Sequence, residues 1–214
     1  ILVAEPHGRA LESVRKIASD FSGFLEANAQ VSKTLAGDPN IQAWLGANTL
    51  RVLDYQEPQV REIFGQLNHL AKSNKDINTV FLASEQSQRY FDNTQRVFQS
   101  DYQLDSREWY TTVKTRKDGC WDLGHDAETQ DLFINFRCPV FRDGRYVGAC
   151  GFDFDPATIT AFFREINVFR TGRVFMVGSP RVGAPTAILY HANSRFILAD
   201  QTTVSGLGGA ERSE

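Results

Sequence analysis

The stretch DLFINFRCPVFRDGRYVGACGFDFD, at Asp131–Asp155, decides the fold of this chain. It contains two runs rich in aromatic and β-branched residues, at 131–141 and 145–154, and such runs are typical of β-strands. Asp143-Gly144 lies between the runs, and Asp-Gly is a strong signal for a tight hairpin turn. The stretch therefore predicts two long antiparallel strands that lie side by side.

The sequence before this hairpin predicts helices followed by short strands. Apolar residues recur at spacings of three and four along 5–37, which predicts one long helix. Asp38-Pro39 ends that helix, because proline disfavours a helical conformation in the residue before it. A short helix is predicted around Trp44 and another helix at about 57–74. Strands are predicted at 78–84, 88–91 and 96–99.

Helix signals flank the hairpin on both sides. Asp105 and Glu108 form a pattern like a capping box and predict a helix that runs to about Lys117, before Gly119. Asp155-Pro156 predicts the start of a further helix after the hairpin. More strands are predicted at 120–123, 173–177, 187–191 and 196–198. Helices followed by hairpin strands are typical of an α+β protein rather than of a doubly wound sheet.

These elements predict three segments along the chain. Residues 1–75 contain the long N-terminal helix and its supporting helices, and this helix is expected to pack on the sheet that follows. Residues 76–154 form an antiparallel sheet module. Residues 155–214 form a second, smaller module, short or truncated.

Composition excludes several classes of protein. The 23 basic and 26 acidic side chains give a net charge of −3, which is too balanced for a nucleic-acid-binding protein. No apolar run reaches the ~18 residues of a membrane span. No metal-ligand pattern, cofactor motif or activated nucleophile is visible, so we expect a domain that is not an enzyme and needs no cofactor. Neither end reads as a natural terminus, and we expect a fragment of a longer protein.

The end of the second hairpin strand carries a candidate site residue, Asp153. Alternation along the strand puts Val147, Ala149, Gly151 and Asp153 on one face. Small side chains on an otherwise aromatic sheet predict a hollow there. A buried carboxylate is costly unless a positive or hydrogen-bonding group meets it. Asp153 is therefore predicted to meet a ligand, to pair with a structural arginine or to cap the following helix.

A second candidate is the run DYQLDSREWYTTV at 101–113. It has the spacing YxxxxRxWY, formed by Tyr102, Arg107, Trp109 and Tyr110. The planar guanidinium suits a bidentate bond to a carboxylate. Tyrosine hydroxyls and the indole N–H donate hydrogen bonds while their rings form flat apolar walls. The run suits an anion or a zwitterion; the alternative is that Arg107 pairs with a local acid and the rings fill the core.

Together these features resemble the extracytoplasmic double Cache (PAS-like) sensor domains of bacterial receptors. The resemblance covers the long helix, the YxxxxRxWY run, the hairpin, and the segments GRVFMVG and AILYHANSRF at 172–178 and 187–196. The hairpin residues Phe133–Phe136 and the strand Arg173–Val177 are particularly similar to sensors that precede diguanylate cyclase (GGDEF) outputs. The resemblance implies a periplasmic part of an inner-membrane protein. Residues 76–154 would be its membrane-distal, ligand-binding PAS-like module and 155–214 its membrane-proximal one.

Some of these sensors bind amino acids, and the resemblance implies roles for residues here. It implies that Tyr102, Arg107 and Trp109 hold the ligand carboxylate. It implies that Tyr110 and Asp153, with one further tyrosine, hold the ammonium group.

The chain departs from this pattern at His125, which stands where the further tyrosine is expected. A neutral imidazole can accept a bond from an ammonium group, whereas a protonated one repels it. A carboxylate, a purine or an amine therefore stays open as the ligand. If His125 contacts the ligand, affinity should change between about pH 5 and 8.

Three alternatives remain open from the sequence. The domain is a sensor, or a degenerate module that only dimerises, and the long helix is the expected homodimer contact. The full-length receptor carries a diguanylate cyclase output domain, or it is a chemoreceptor or a histidine kinase. Cys138 and Cys150 flank the hairpin turn and form a disulfide, or these two and Cys120 are simply small buried residues.

Overall fold

This computed structural model describes residues 6–47, 53–96, 102–125, 132–154, 158, 161–163, 176–178 and 187–190. The helices are α1 Pro6–Gly37, α2 Pro39–Ala47, α3 Pro58–Ser73 and α4 Glu108–Lys114. The strands are β1 Ile77–Ser84, β2 Arg89–Asp92, β3 Cys120–His125, β4 Leu132–Arg142, β5 Arg145–Phe154, β6 Met176–Gly178 and β7 Ala187–Tyr190. The chain is an α+β protein with a long N-terminal helix, as its sequence predicts. No helix in these described ranges is both long and apolar enough to cross a membrane.

Asp38 separates α1 from α2 and begins the second helix. Its Oδ1 accepts from the backbone N–H of Asn40 at 2.7 Å and of Ile41 at 3.4 Å, as an N-cap side chain does. Its Oδ2 accepts from the Gln66 amide of α3 at 2.9 Å. The break predicted at Asp38-Pro39 is confirmed, and the same carboxylate also ties α2 to α3.

The main sheet has five strands in the order β2-β1-β5-β4-β3, and all neighbouring strands are antiparallel. The predicted hairpin is confirmed as β4 and β5. Asp143 and Gly144 have φ angles of 52° and 75°, which is the left-handed conformation that a two-residue type I′ turn needs at both positions. Arg142 and Arg145 are the paired residues that flank this turn.

One face of the sheet is apolar and forms the core. Its buried side chains include Val80, Leu82, Phe91, Ile134, Phe136, Cys138, Val140, Cys150, Phe152 and Phe154. The Trp121 ring stacks on Phe154 with its centroid 5.8 Å away. The Cys150 thiol donates to the backbone carbonyl of Ser32 at 3.3 Å, so the C-terminal half of α1 lies directly on this face.

The cysteines are free thiols in this fold. Cys138 and Cys150 are register partners on β4 and β5, but no disulfide joins them. Burial raises the pKa of Cys138 to about 11 and the pKa of Cys150 well above its ordinary value. Both thiols are therefore protonated at neutral pH and pack as small apolar groups.

The helix predicted to start at Asp105 starts later and is shorter. Leu104–Ser106 form a single 3₁₀ turn, after which Arg107 is extended with φ −93° and ψ 119°. Glu108–Lys114 then form α4, whose N-cap position is Arg107, without a side-chain hydrogen bond. The prediction that Asp105 caps this helix is wrong, because the extended Arg107 separates the two turns.

The chain divides into two compact units, Leu25–Asp155 and Ile1–Phe24 with Pro156–Glu214. The first unit contains the five-stranded sheet. The second contains the antiparallel pair β6 and β7 and an aromatic cluster of Phe21, Phe24, Phe162 and Phe163. The strands predicted at 173–177 and 187–191 correspond to β6 and β7.

Some predicted elements lie outside the described residues. These are the strand at 196–198, most of the strand at 96–99 and most of the helix that follows Asp155-Pro156. The segment boundaries predicted at residues 75 and 155 stay predictions.

Candidate functional site

The second face of the main sheet carries a row of polar side chains. The register places Asp153 of β5, Asn135 of β4 and Asp122 of β3 next to one another across three adjacent strands. Arg137 is two residues along β4 from Asn135 and therefore lies on the same face. The sheet thus brings one cation and two carboxylates together from three consecutive strands.

Hydrogen bonds join this row into one network. Arg137 donates from Nη1 to Asp122 Oδ2 in a partly buried ion pair. The Asn135 amide, oriented by its neighbours, accepts from Arg137 Nη2 at 2.6 Å and donates to Asp153 Oδ1 at 2.7 Å. Arg137 is 6% exposed and Asp153 is 9% exposed, and charges so deeply buried need partners of this kind. The network therefore fixes the positions of these charged groups in the sheet.

Two polar atoms beside the network are buried without a hydrogen-bond partner among the described residues. They are the donor Arg107 Nε and the acceptor Asp122 Oδ1. The Arg107 guanidinium carbon stands 4.2 Å from the centroid of the Tyr102 ring, so stacking holds the side chain in place. A buried group left unpaired costs about 1–3 kcal/mol. A small molecule that carries both an acceptor and a donor would satisfy the two atoms.

Aromatic rings lie over the polar row. The guanidinium carbon of Arg137 is 5.1 Å from the Trp109 ring centroid, which is a cation–π contact. The Trp109 ring lies 5.6 Å from Phe81 and 6.3 Å from Tyr90, and Tyr90 lies 6.0 Å from Tyr102. Trp109 therefore forms a wall above Arg137, and Tyr102 extends these aromatic walls through its contact with Tyr90.

The two tyrosines in these walls stay protonated at neutral pH. Burial raises the pKa of Tyr90 well above its ordinary value, and the nearby Asp153 carboxylate adds to the effect. Burial also raises the pKa of Tyr102, although a hydrogen bond with Trp109 and the positive charge of Arg107 oppose it. Both hydroxyl groups can therefore donate as well as accept.

Tyr110 is bonded to Glu85 rather than to Asp153. Its hydroxyl donates to Glu85 Oε2 at 2.8 Å, and Glu85 also forms an ion pair with Lys114. The buried Tyr110 ring packs against that of Tyr146 at 6.1 Å. The ammonium role predicted for Tyr110 and Asp153 stays a prediction, in which the Tyr110 oxygen accepts from the ammonium group while its own proton stays donated to Glu85.

The hollow predicted beside Gly151 is partly filled. The register confirms that Ala149, Gly151 and Asp153 share a face. However, a Cβ built on Gly151 would lie 2.4 Å from Phe81 Cζ and 2.4 Å from the carbonyl oxygen of Phe136. The prediction of empty space at Gly151 is wrong, because the Phe81 ring takes that space and becomes the floor of the site.

His125 ends β3, where its backbone pairs with Leu132. Its side chain lies outside the part of the chain that the structure describes, so its predicted contact with a ligand stays a prediction. Within that part, no group of three or more His, Cys, Asp or Glu side chains is placed to hold a metal ion.

Sequence reasoning missed several residues of this site. Asn135 and Arg137 carried a usable signal, because two polar residues two positions apart in an apolar strand must share one face. Tyr90 and Phe81 carried no such signal. Their contribution depends on how β1 pairs with β2 and on which face α4 covers.

The chain matches no protein-family model and no curated protein by sequence. Solved structures match its fold. The ligand-binding domain of the Pseudomonas aeruginosa PAO1 amino acid chemoreceptor PctC, in complex with GABA, has a TM-score of 0.66 and 19% identity. The match covers 91% of this chain and 80% of that chain.

Two further matches are also ligand-binding or sensory domains of chemoreceptors. That of Pseudomonas fluorescens CtaA in complex with L-alanine has a TM-score of 0.65 at 14% identity and covers 89% of this chain and 73% of that one. That of Campylobacter jejuni Tlp3 with isoleucine bound has a TM-score of 0.58 at 14% identity and covers 76% and 64%. The chain therefore has the fold of chemoreceptor ligand-binding domains.

Proposed function

We propose that this chain is the extracytoplasmic sensor domain of a bacterial transmembrane receptor and that it binds a small zwitterion such as an amino acid. The domain belongs to the double Cache type and binds its ligand without chemical change. The ligand lies between α4 and the polar face of the main sheet, within the unit Leu25–Asp155. The receptor passes the signal across the membrane to a cytoplasmic output domain, which is a diguanylate cyclase.

The observation that carries this proposal is the unpaired donor of Arg107. Its Nε is buried next to the Tyr102 ring, and no described residue accepts its hydrogen bond. A structural arginine would be expected to use its buried donors within the protein. A ligand carboxylate supplies the missing acceptor and the opposite charge.

The solved structures support an amino-acid ligand. PctC is described as an amino acid chemoreceptor and was solved with GABA, and CtaA was solved with L-alanine. A molecule of this type has a carboxylate and an ammonium group a few ångströms apart. In this chain Arg107 would bind the first group, and the buried carboxylate of Asp153 would bind the second.

Signalling follows from differential affinity for two conformations. A ligand that binds α4 and the sheet more tightly in one packing arrangement shifts the population toward that arrangement. It can shift the population only as far as the difference between its two affinities allows. A shift in how α1 packs on the sheet would carry the conformational change along the receptor.

A second candidate function is that of a degenerate module that dimerises without binding a ligand. Two observations favour it. The Phe81 ring already occupies the space beside Gly151. Leu11 and Val14 of α1 are 51% and 53% exposed, and they lie three residues apart on one side of the helix, where a second copy could cover them.

A thermal-shift screen against amino acids, organic acids, amines and purines separates the two candidates. Sensing predicts a ligand that stabilises the wild type, with the shift lost in Arg107→Ala. Arg61→Ala, an exposed arginine on α3, is the matched control and should keep the shift. Silence across the library, or an equal shift in Arg107→Ala, would contradict sensing at this site.

A further inference from the structure

We infer that the ligand is an amino acid whose side chain ends in an uncharged hydrogen-bond donor, and that Asp122 Oδ1 accepts this donor. The inference rests on the proposed sensor function. It adds the class of ligand side chain and the residue that selects it.

Asp122 provides a fixed acceptor with spare capacity. Its Oδ2 is bound by Arg137, whereas its Oδ1 is buried and has no hydrogen-bond partner among the described residues. The side chain is only 17% exposed, so bulk water has little access to the carboxylate. A buried acceptor of this kind favours a ligand that donates to it and penalises one that cannot.

Arg137 positions Asp122 and sets the charge that the ligand side chain may carry. Its guanidinium is held by Asp122, by the Asn135 oxygen and by the Trp109 ring. It therefore cannot turn away when a ligand enters. A cationic side chain placed on Asp122 would be repelled by Arg137, so hydroxyl and carboxamide donors are preferred to ammonium groups.

The spacing of the sheet agrees with an amino acid that spans two acceptors. Asp153 and Asp122 are register neighbours of Asn135 on either side, so their strands are two spacings apart, or about 10 Å. A ligand that lies across Asn135 can therefore present one donor to each carboxylate.

Isothermal titration calorimetry with matched amino-acid pairs tests the inference. L-Threonine and L-valine have nearly the same shape and differ in one hydroxyl group, and L-asparagine and L-leucine differ in their terminal groups. The wild type should bind the polar member of at least one pair about tenfold or more tightly than the apolar member, because one hydrogen bond to a charged acceptor is lost.

Two double variants remove the acceptor without leaving a buried charge alone. Asp122→Leu with Arg137→Met replaces the ion pair by apolar side chains, a change that folded proteins often tolerate. It should abolish the preference while binding of the apolar amino acid persists. Asp122→Asn with Arg137→Gln keeps a neutral acceptor and should reduce the preference, which preserves the test if the first variant does not fold.

Two further variants separate loss of the polar preference from loss of binding. Glu26→Gln with Lys33→Gln removes an exposed ion pair of α1 and should keep the full preference. Arg107→Ala should abolish binding of every probe. Circular dichroism and thermal unfolding establish that each variant is folded before its affinities are compared.

Each other outcome overturns a defined part of the argument. Binding that depends on Arg107 but shows no polar preference, or a preference that the folded double variants keep in full, overturns the inference and leaves the sensor function intact. Binding only of a probe outside the amino acids, still dependent on Arg107, overturns the inference and the proposed zwitterion as ligand, and leaves sensing at this site. Absence of binding to any probe in the wider screen overturns both.

Discussion

At Gly151 the sheet has almost no room for a side chain. A Cβ there would meet the Phe81 ring on one side and the carbonyl oxygen of Phe136 on the other, each at 2.4 Å. The ring can move, but the carbonyl belongs to β4 and is held in the ladder with β5. The glycine is therefore required by close packing, and it lets an aromatic ring form the floor of the candidate site.

Gly151→Ala should lower the free energy of unfolding by about 1–3 kcal/mol, because the methyl group overpacks the sheet. Urea unfolding followed by circular dichroism measures the change. Gly65→Ala is the control, since its Cβ on α3 meets open space and alanine is the better helix former by about 1 kcal/mol. Equal stability of the two variants would show that the sheet accommodates a methyl group at position 151.

The candidate site could be predicted only in part from single residues. Arg107, Trp109 and Tyr102 stand out because their chemistry and spacing are visible within one short run. Arg137 is equally important to the geometry, but its role depends on Asp122, fifteen residues away and on another strand. Pairing of this kind is a property of the register, which local sequence does not specify.

At the scale of the elements, Asp38 links the end of α1, the start of α2 and the side of α3. Burial raises its pKa, but hydrogen bonds from Gln66 and from the backbone of Asn40 and Ile41 outweigh this, and the pKa falls below 3.8. A carboxyl group with a lowered pKa in the folded state stabilises the fold above its unfolded pKa. That contribution disappears as the pH falls through the folded pKa.

Asp38→Ala should cost about 0.5–2 kcal/mol of stability at neutral pH, as loss of an N-cap does. The difference in free energy of unfolding between the variant and the wild type should stay constant above about pH 5. It should narrow below about pH 4, where the Asp38 carboxyl takes up a proton first in the unfolded chain and, at lower pH, in the folded one. Denaturant unfolding of Asp38→Ala and of the wild type at several pH values measures this difference in free energy of unfolding. A difference in stability that grows as the pH is lowered would contradict the prediction.

The elements themselves were largely predictable, and the exception has a physical reason. Helix α1 and the β4–β5 hairpin follow from apolar periodicity and from Asp143-Gly144, which are local properties. The start of α4 was misplaced because Arg107 adopts an extended backbone while its side chain stacks on Tyr102. The extended backbone at Arg107 thus accompanies a tertiary contact with Tyr102, and a capping pattern in the sequence does not predict such a contact.

At the scale of the whole molecule, the described residues of the candidate site lie in one of the two compact units. Arg107, Asp122, Arg137 and Asp153 all belong to Leu25–Asp155, which also contains the core face of the sheet. This unit includes the part of α1 that contacts Cys150. It therefore has the parts needed for a folded binding module.

A fragment that spans 25–155 should fold cooperatively and bind the same ligand as the whole chain with similar affinity. Calorimetry with the best compound from the screen compares the two. A folded fragment that does not bind, beside a whole chain that does, would mean that residues outside 25–155 complete the site.

The position of β5 affects how the sheet assembles as the chain is synthesised. It is the last of the five strands to be synthesised, yet it stands in the middle and joins the β2-β1 pair to the β4-β3 pair. Until it docks, both halves expose unpaired edges, which invite aggregation and proteolysis. A nascent chain that stops before β5 therefore lacks the strand that joins the two halves of the sheet.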